Sequence, residues 1–148
     1  MRFLVDTNVL LRWSLADDPN YAQCVAAVDA LTAQGDEVCV CAQVLVEYWA
    51  VSTRPRDVNG LELEPSDVED RLADVDAIFS VLTEPPDIAA KWRELANRYS
   101  VCGKQAHDAR IAALMLAHGV THLLTLNPTD FARYGGVTAV TPQEVLKQ

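Results

Sequence analysis

The chain has 148 residues, half of them apolar, and a formal net charge of −9. That length suits one domain, residues 1–148, whose folding buries ~68–70% of the unfolded chain's surface. The acid excess argues against a broad basic face for nucleic acid, and the lack of an apolar run of about 18 residues argues against a membrane span.

Residues 2–5 (RFLV) read as a short buried strand, and a helix follows DTN to about Trp13. A second helix over 20–34 opens at Asn20 as cap and stops before Gly35. EVCVC, 37–41, is the second strand, and a third helix covers about 42–53. Residues 53–66, with two prolines and an Asn-Gly, form an elaborated loop. Ser66 is expected to cap the next helix, with Asp67 and Glu69 in its first turn, where the macrodipole favours acids. FSVL, 79–82, reads as a short strand, and residues 84–101 as a helix with prolines at its start. A helix over about 104–118 stops at Gly119, followed by strands at 121–126 and 137–140. Thr141 caps a final short helix with Pro142 at its first position. Apolar strands that alternate with helices and lack polar alternation predict an α/β fold, a parallel sheet covered on both faces.

The four cysteines, Cys24, Cys39, Cys41 and Cys102, form no C-x-x-C pair and are expected to be buried free thiols. Alternation puts Cys39 and Cys41 on one strand face, beside each other rather than around a zinc ion. The opening MRFLVDT lacks signal-peptide anatomy, so a cytoplasmic protein is expected.

Three carboxylates interrupt apolar patterns. Asp6 sits just past the first strand, at the sheet edge where α/β folds bind ligands; a helix-cap role for Asp6 or Thr7 is the alternative. Glu47 shares a helical face with Val44, Tyr48 and Val51, or lies at the rim of that stripe. Asp108 shares a face with Ile111, Ala112 and Met115 on an apolar helix; the alternative is an acid placed in the first turn by the helix dipole. Taken together, three unpaired acids aimed at a core would repel one another. The few nearby cations, Arg12, Lys104 and Arg110, do not share a helical face with their neighbouring acids. A divalent ion is the economical compensation, and oxygen-only ligands select Mg²⁺ or Mn²⁺ over zinc. A fourth segment, LLTLNPTDFARY, brings Asn127 and Asp130 to the same sheet edge.

In order and spacing, VDTNVLL, the Glu47 helix, HDARIAALMLAHG and LLTLNPTDF resemble the PIN-domain ribonucleases, most of all the VapC-type toxins of bacterial toxin–antitoxin pairs. The likeness spans nearly the whole chain; each motif alone is short, and the ordered set is the specific signal. The resemblance implies a three-layer α/β/α domain whose four- to five-stranded parallel sheet gathers the acids at one edge. It also implies Mg²⁺- or Mn²⁺-dependent hydrolysis of RNA, a homodimer, and inhibition by a partner antitoxin that often inserts an arginine near the acids. Carried over, the first three acids are Asp6, Glu47 and Asp108. Asn127 stands where family members often have Asp, leaving Asp130 as a candidate fourth acid.

On that reading, a metal held by Asp6 and Asp108 would activate a water, and a second metal ~3.5–4 Å away would stabilise the leaving oxygen. Glu47 would complete the second site or position the water. Thr7, Asn8 and Thr125 could bind metal waters or phosphate, with Asn8 better suited to orienting Asp6. Arg54, Arg56 and Lys104 are candidate RNA contacts near the mouth, or solvated surface. Trp13, Trp49 and Trp92 could stack bases but suit core packing better. His107, His118 and His122 lack metal-like spacing.

Other classes fit less well. A haloacid dehalogenase-like phosphatase needs an acid at position 8, where the chain has Asn8, and a receiver domain needs a late lysine that LLTLN does not offer. An inactive interaction module has only Asn127 in its favour. An RNA-processing nuclease without a toxin role is indistinguishable at this level.

Overall fold

In a computed structural model, which describes residues 1–147, the centre of the molecule is its first strand. β1 (Arg2–Val5) pairs in parallel with β2 (Glu37–Cys41) on one side and β4 (His122–Leu124) on the other. β3 (Ser80–Leu82) extends the β2 edge and β5 (Thr138–Val140) the β4 edge, in the order β3-β2-β1-β4-β5. Among the described residues the sheet has five strands, all parallel, within the predicted four-to-five range. Consecutive buried residues along β1 and β2, rather than alternating ones, show that both sheet faces are covered.

The covering helices are α1 (Thr7–Ser14), α2 (Tyr21–Ala33), α3 (Ala42–Thr53), α4 (Pro65–Ile78), α5 (Ile88–Arg98), α6 (Gln105–His118) and α7 (Pro142–Val145). α1 packs on α2 and α3, α2 on α7, and α5 on α6. Leu4, Val5, Leu10, Ile111, Met115, Leu123 and Leu124 are fully buried in one continuous apolar cluster. Among the described residues no helix is long and apolar enough to cross a membrane.

Several boundaries differ from expectation for local reasons. Pro65 takes the first position of α4, where its fixed φ is preorganised for a helix, so Ser66 lies inside the helix and Glu64 precedes it. Asn20 makes no side-chain cap; instead its N–H is taken by Asp18 Oδ1 at 2.8 Å. α5 begins only at Ile88, because a residue preceding proline is driven out of the helical region, and Glu84 and Pro85 both precede one. Ser100, at φ 50°, follows its end. Thr141 does cap α7, in a capping box with Glu144. Cys24, Cys39 and Cys41 are buried free thiols, whereas Cys102 is exposed: it lies on the turn after α5 rather than on a packed element.

The 53–66 loop folds back on the end of α3 through Leu61 N–H to the Val51 carbonyl, Glu62 N–H to that of Arg54, and Leu63 N–H to that of Ser52. It contains a single 3-10 turn, Arg56–Val58. Gly60 passes so near Arg54 that a Cβ there would lie 1.8 Å from its carbonyl oxygen. Gly60→Ala is therefore expected to destabilise the protein by ~1–3 kcal/mol, as overpacking does, read as a lower urea midpoint at unchanged slope. An unaltered midpoint would show that the loop has room to move away.

Candidate active site

The strand order reverses across β1: β2 lies to one side and β4 to the other, so the carboxyl ends of β1 and β4 flank the crevice where such sheets bind ligands. Val5 and Leu124 are in register, so the next residues, Asp6 and Thr125, leave the sheet together. Asp6 N–H still donates to the Leu124 carbonyl (3.0 Å), and Thr125 N–H to that of Val140 (2.9 Å).

Asp6 is the N-cap of α1, its Oδ1 accepting the Thr7 N–H at 2.7 Å. Its Oδ2 accepts the Thr125 hydroxyl at 2.8 Å and the Asn8 amide at 3.2 Å. Cap and candidate ligand are thus one residue, so the two sequence readings of Asp6 do not exclude each other. Asn8 also donates to Thr125 Oγ1 (3.2 Å) and accepts from Leu126 N–H (3.1 Å). Thr125 Oγ1 accepts a further bond from Asn127 N–H at 3.1 Å. The Thr125 hydroxyl, wholly buried, therefore has its donor and both lone pairs engaged within the protein. It orients Asp6 and is not free to hold a solvent ligand.

Glu47, half-buried on α3, is held at both oxygens: Oε2 accepts the Thr7 hydroxyl (2.9 Å) and Oε1 the Gln43 amide (3.1 Å). Thr7 thus links Asp6 to Glu47, through its N–H on one side and its hydroxyl on the other. Asp108 lies in the first turn of α6, on the face that buries Ile111, Ala112 and Met115. Asp130 is exposed, in the 3-10 turn Pro128–Phe131 that follows Asn127. Asn127 itself is exposed, and its side chain makes no cap bond to that turn.

These acids act on one another. Burial raises the Asp6 carboxyl above its ordinary range; the bonds from Thr125 and Thr7 oppose this, and the charges of Glu47 and Asp130 add to it. Asp108 is raised to about 6, first by burial, then by Asp6, Asp130 and Glu47, with His107 opposing. The cations are engaged elsewhere or stand at the rim. Arg12 donates to the Asn8 carbonyl (3.1 Å) and lies 4.0 Å from Asp18. Arg110 pairs with Glu84 and donates to Gln43 Oε1 at 2.8 Å. Lys104 is exposed, one residue before α6.

The other candidates are placed as follows. Arg54 donates to the Asn59 carbonyl (2.9 Å), closing its own loop. Arg56 lies 4.0 Å from Glu62 and lines a cleft with Asp17, Asp18 and Arg71. Neither arginine is brought into contact with the acids. Trp13, Trp49 and Trp92 pack against the core, Trp92 also donating to the Ala106 carbonyl at 2.9 Å. Sequence reasoning missed Gln43 and Glu84, and took Arg110 only as a cation on another helical face from Asp108. The spacing of Gln43 from Glu47, one helical turn, was an available signal, whereas the Arg110–Glu84 pair depends on a tertiary contact.

Two raised carboxylates, Asp6 and Asp108, with Glu47 and Asp130 acting on both, offer oxygen donors only. Among the described residues no guanidinium or ammonium is paired to any of the four, which is the chemistry of a hard-cation site. Among the described residues, no three His, Cys, Asp or Glu side chains converge tightly enough to form a preassembled metal cage.

The chain belongs to the PIN domain family, whose model matches residues 3–137. Membership supports a hydrolase acting on nucleic acid, in a family that generally uses divalent metals. Solved structures share the fold. The VapBC2 complex of Rickettsia felis, bound to a fragment of its promoter DNA, contains a chain 15% identical, with TM-score 0.71 over 95% of this chain and 98% of that one. VapC20 of Mycobacterium tuberculosis, a toxin that cleaves the sarcin–ricin loop, is 17% identical, with TM-score 0.63 over 91% and 98%. A toxin–antitoxin complex from Klebsiella pneumoniae contains a chain 24% identical, with TM-score 0.63 over 94% and 96%. No curated protein matches the sequence.

Proposed function

We propose that this protein is a Mg²⁺- or Mn²⁺-dependent endoribonuclease, the toxin of a toxin–antitoxin pair. The observation that carries the reading is that Asp6, at the sheet's switch point, and Asp108, at the start of α6, are both raised by burial and by the charges of neighbouring acids, Glu47 and Asp130 among them. Asp6 and Asp108 would hold the ion, with Glu47 beside them and Asp130 at the rim. The open spacing of the acids suits Mg²⁺, which keeps several of its waters and needs only one or two carboxylates. When bound, the ion supplies charge stabilisation to phosphodiester hydrolysis and lowers the pKa of water.

The chain's own residues do the rest. Thr125, Asn8 and the Thr7 N–H fix Asp6 from three directions, which prepays the cost of ordering it. Thr7 and Gln43 fix Glu47, whose carboxylate is then placed to orient a water or accept its proton. Lys104, exposed at the start of α6 and one turn before Asp108, is the basic residue best placed to meet substrate phosphate. Arg54 and Arg56 are better read as loop residues.

The toxin role draws on the fold shared with VapC20 and with the Klebsiella pneumoniae complex. It includes a homodimer and a protein antitoxin, for whose basic segment a net charge of −9 is suited. Four free cysteines suit a reducing compartment, the cytoplasm. The test is cleavage of a panel of structured RNAs by the purified protein in Mg²⁺ or Mn²⁺. Cleavage abolished by EDTA and by Asp108→Asn is the expected result. Cleavage indifferent to both would place the activity elsewhere. Absence of both cleavage and divalent-ion binding would favour an inactive interaction module, for which Asn127 in place of an acid is the supporting feature.

A further inference from the structure

Gln43 is a half-buried side chain on α3 with one planar amide and three partners. Its Nε2 donates to Glu47 Oε1 at 3.1 Å and to the His107 carbonyl at 2.9 Å. Its Oε1 accepts from Arg110 Nη1 at 2.8 Å. The amide therefore stands between a guanidinium on α6, two residues from Asp108, and a carboxylate of the acidic crevice. The other side of Arg110 is taken by Glu84, which lies before α5.

We propose that Gln43 is a positioning residue that keeps Arg110 off Glu47 and holds the Glu47 carboxylate ready for a divalent cation. The proposal rests on the metal-nuclease reading above. A guanidinium fork and a carboxylate make a strong bidentate pair when nothing separates them. Such a pair would neutralise Glu47 from within the protein and compete with the ion. An uncharged amide is the group that satisfies both neighbours without joining them, since it presents an acceptor to the cation and a donor to the anion. A glutamate at position 43 would repel Glu47, a lysine would repel Arg110, and an apolar side chain would leave Glu47 Oε1 and Arg110 Nη1 without their bonds to this position. The bond to the His107 carbonyl fixes which way the amide faces, because only the NH₂ end can donate to it.

The experiment is Mn²⁺ titration by calorimetry, with RNA cleavage in parallel, on the unmodified protein, Asp6→Asn, Gln43→Ala, Gln43→Met, Arg110→Ala and the double variant Gln43→Ala/Arg110→Ala. Loss of Gln43 is expected to weaken Mn²⁺ binding by ~10–100-fold, the usual effect of removing a group that orients a ligand. Gln43→Met keeps the side-chain volume and is expected to show the same loss. Arg110→Ala alone is expected to change the affinity little, yet to restore it in the Gln43→Ala background, a non-additive result that lost packing would not give. Unchanged Mn²⁺ affinity in both Gln43 variants overturns the role of Gln43 while leaving the metal reading intact. A loss not restored by removing Arg110 overturns the separation of the two charges. An unmodified protein that binds no Mn²⁺, or binds it equally after Asp6→Asn, overturns the metal reading and this proposal with it.

Discussion

Asp6→Asn is expected to lower the single-turnover rate of RNA cleavage by about 10³-fold, from the loss of several kcal/mol of transition-state charge stabilisation at ~1.4 kcal/mol per decade. The fold is expected to survive. Asn is as good an N-cap as Asp, so the Thr7 N–H keeps its acceptor. The new amide faces the donors of Asn8 and Thr125, a cost of ~1 kcal/mol for each, but the substitution also removes a desolvated charge from the field of Glu47 and Asp130. The two effects oppose each other, so the urea midpoint should move little. Cleavage at the unmodified rate by a folded Asp6→Asn protein would remove Asp6 from the chemistry.

Folding stability without divalent ions is expected to fall as pH rises from about 4 to about 7, and saturating Mg²⁺ is expected to reverse the fall. Asp6 and Asp108 are both raised in the folded state, Asp108 from 3.8 to about 6. The folded protein then binds more protons than the unfolded chain in this window. Their contribution is fully present below the unfolded value and is lost as pH climbs through the folded one. For Asp108 the full shift corresponds to about 3 kcal/mol, and solvent screening of a half-exposed group reduces it to ~1 kcal/mol.

Glu37, lowered by its bonds from Ser80 and Arg2, and Glu144, lowered by its bonds from Thr141, work in the opposite sense, but below the ordinary carboxylate range. Comparison with Asp108→Asn isolates the relevant term: the variant should match the unmodified protein near pH 4 and exceed it at pH 7 in EDTA. Mg²⁺ at 100 times its dissociation constant adds about 2.7 kcal/mol to the unmodified protein and should add less to the variant. A flat difference curve between pH 4 and 7 would mean that Asp108 is neither desolvated nor held among the other acids.

The features legible in the sequence are those written in local pattern. Unbroken apolar strands gave the parallel sheet, and carboxylates that interrupt an apolar face gave Asp6, Glu47 and Asp108 as candidates. Thr141 before Pro142 gave the last helix start. What stayed hidden depends on contacts between distant segments. Thr125 read as a strand residue with a possible solvent-binding hydroxyl, and only the register of β4 against β1 shows that hydroxyl committed to Asp6. Arg110 read as a cation on the wrong face for Asp108, and nothing near it in sequence points to Glu84 or Gln43. Arg54 read as a basic residue that could meet substrate phosphate near the mouth, or as solvated surface in a Pro/Gly loop; the bond to the Asn59 carbonyl that occupies it is a property of the folded loop.

The bond from Thr125 to Asp6 joins residues 119 positions apart. The crevice therefore cannot exist on a nascent chain until β4 has been synthesised and has docked on β1, after Glu47 and Asp108 have been made and just before Asp130 follows. If the protein is the ribonuclease proposed above, this order of assembly is protective: a chain cut short before Thr125 carries Asp6, Glu47 and Asp108 but neither Asp130 nor the scaffold that aims Asp6. On that proposal, activity is deferred to the moment of completion, when the proposed antitoxin could already be present.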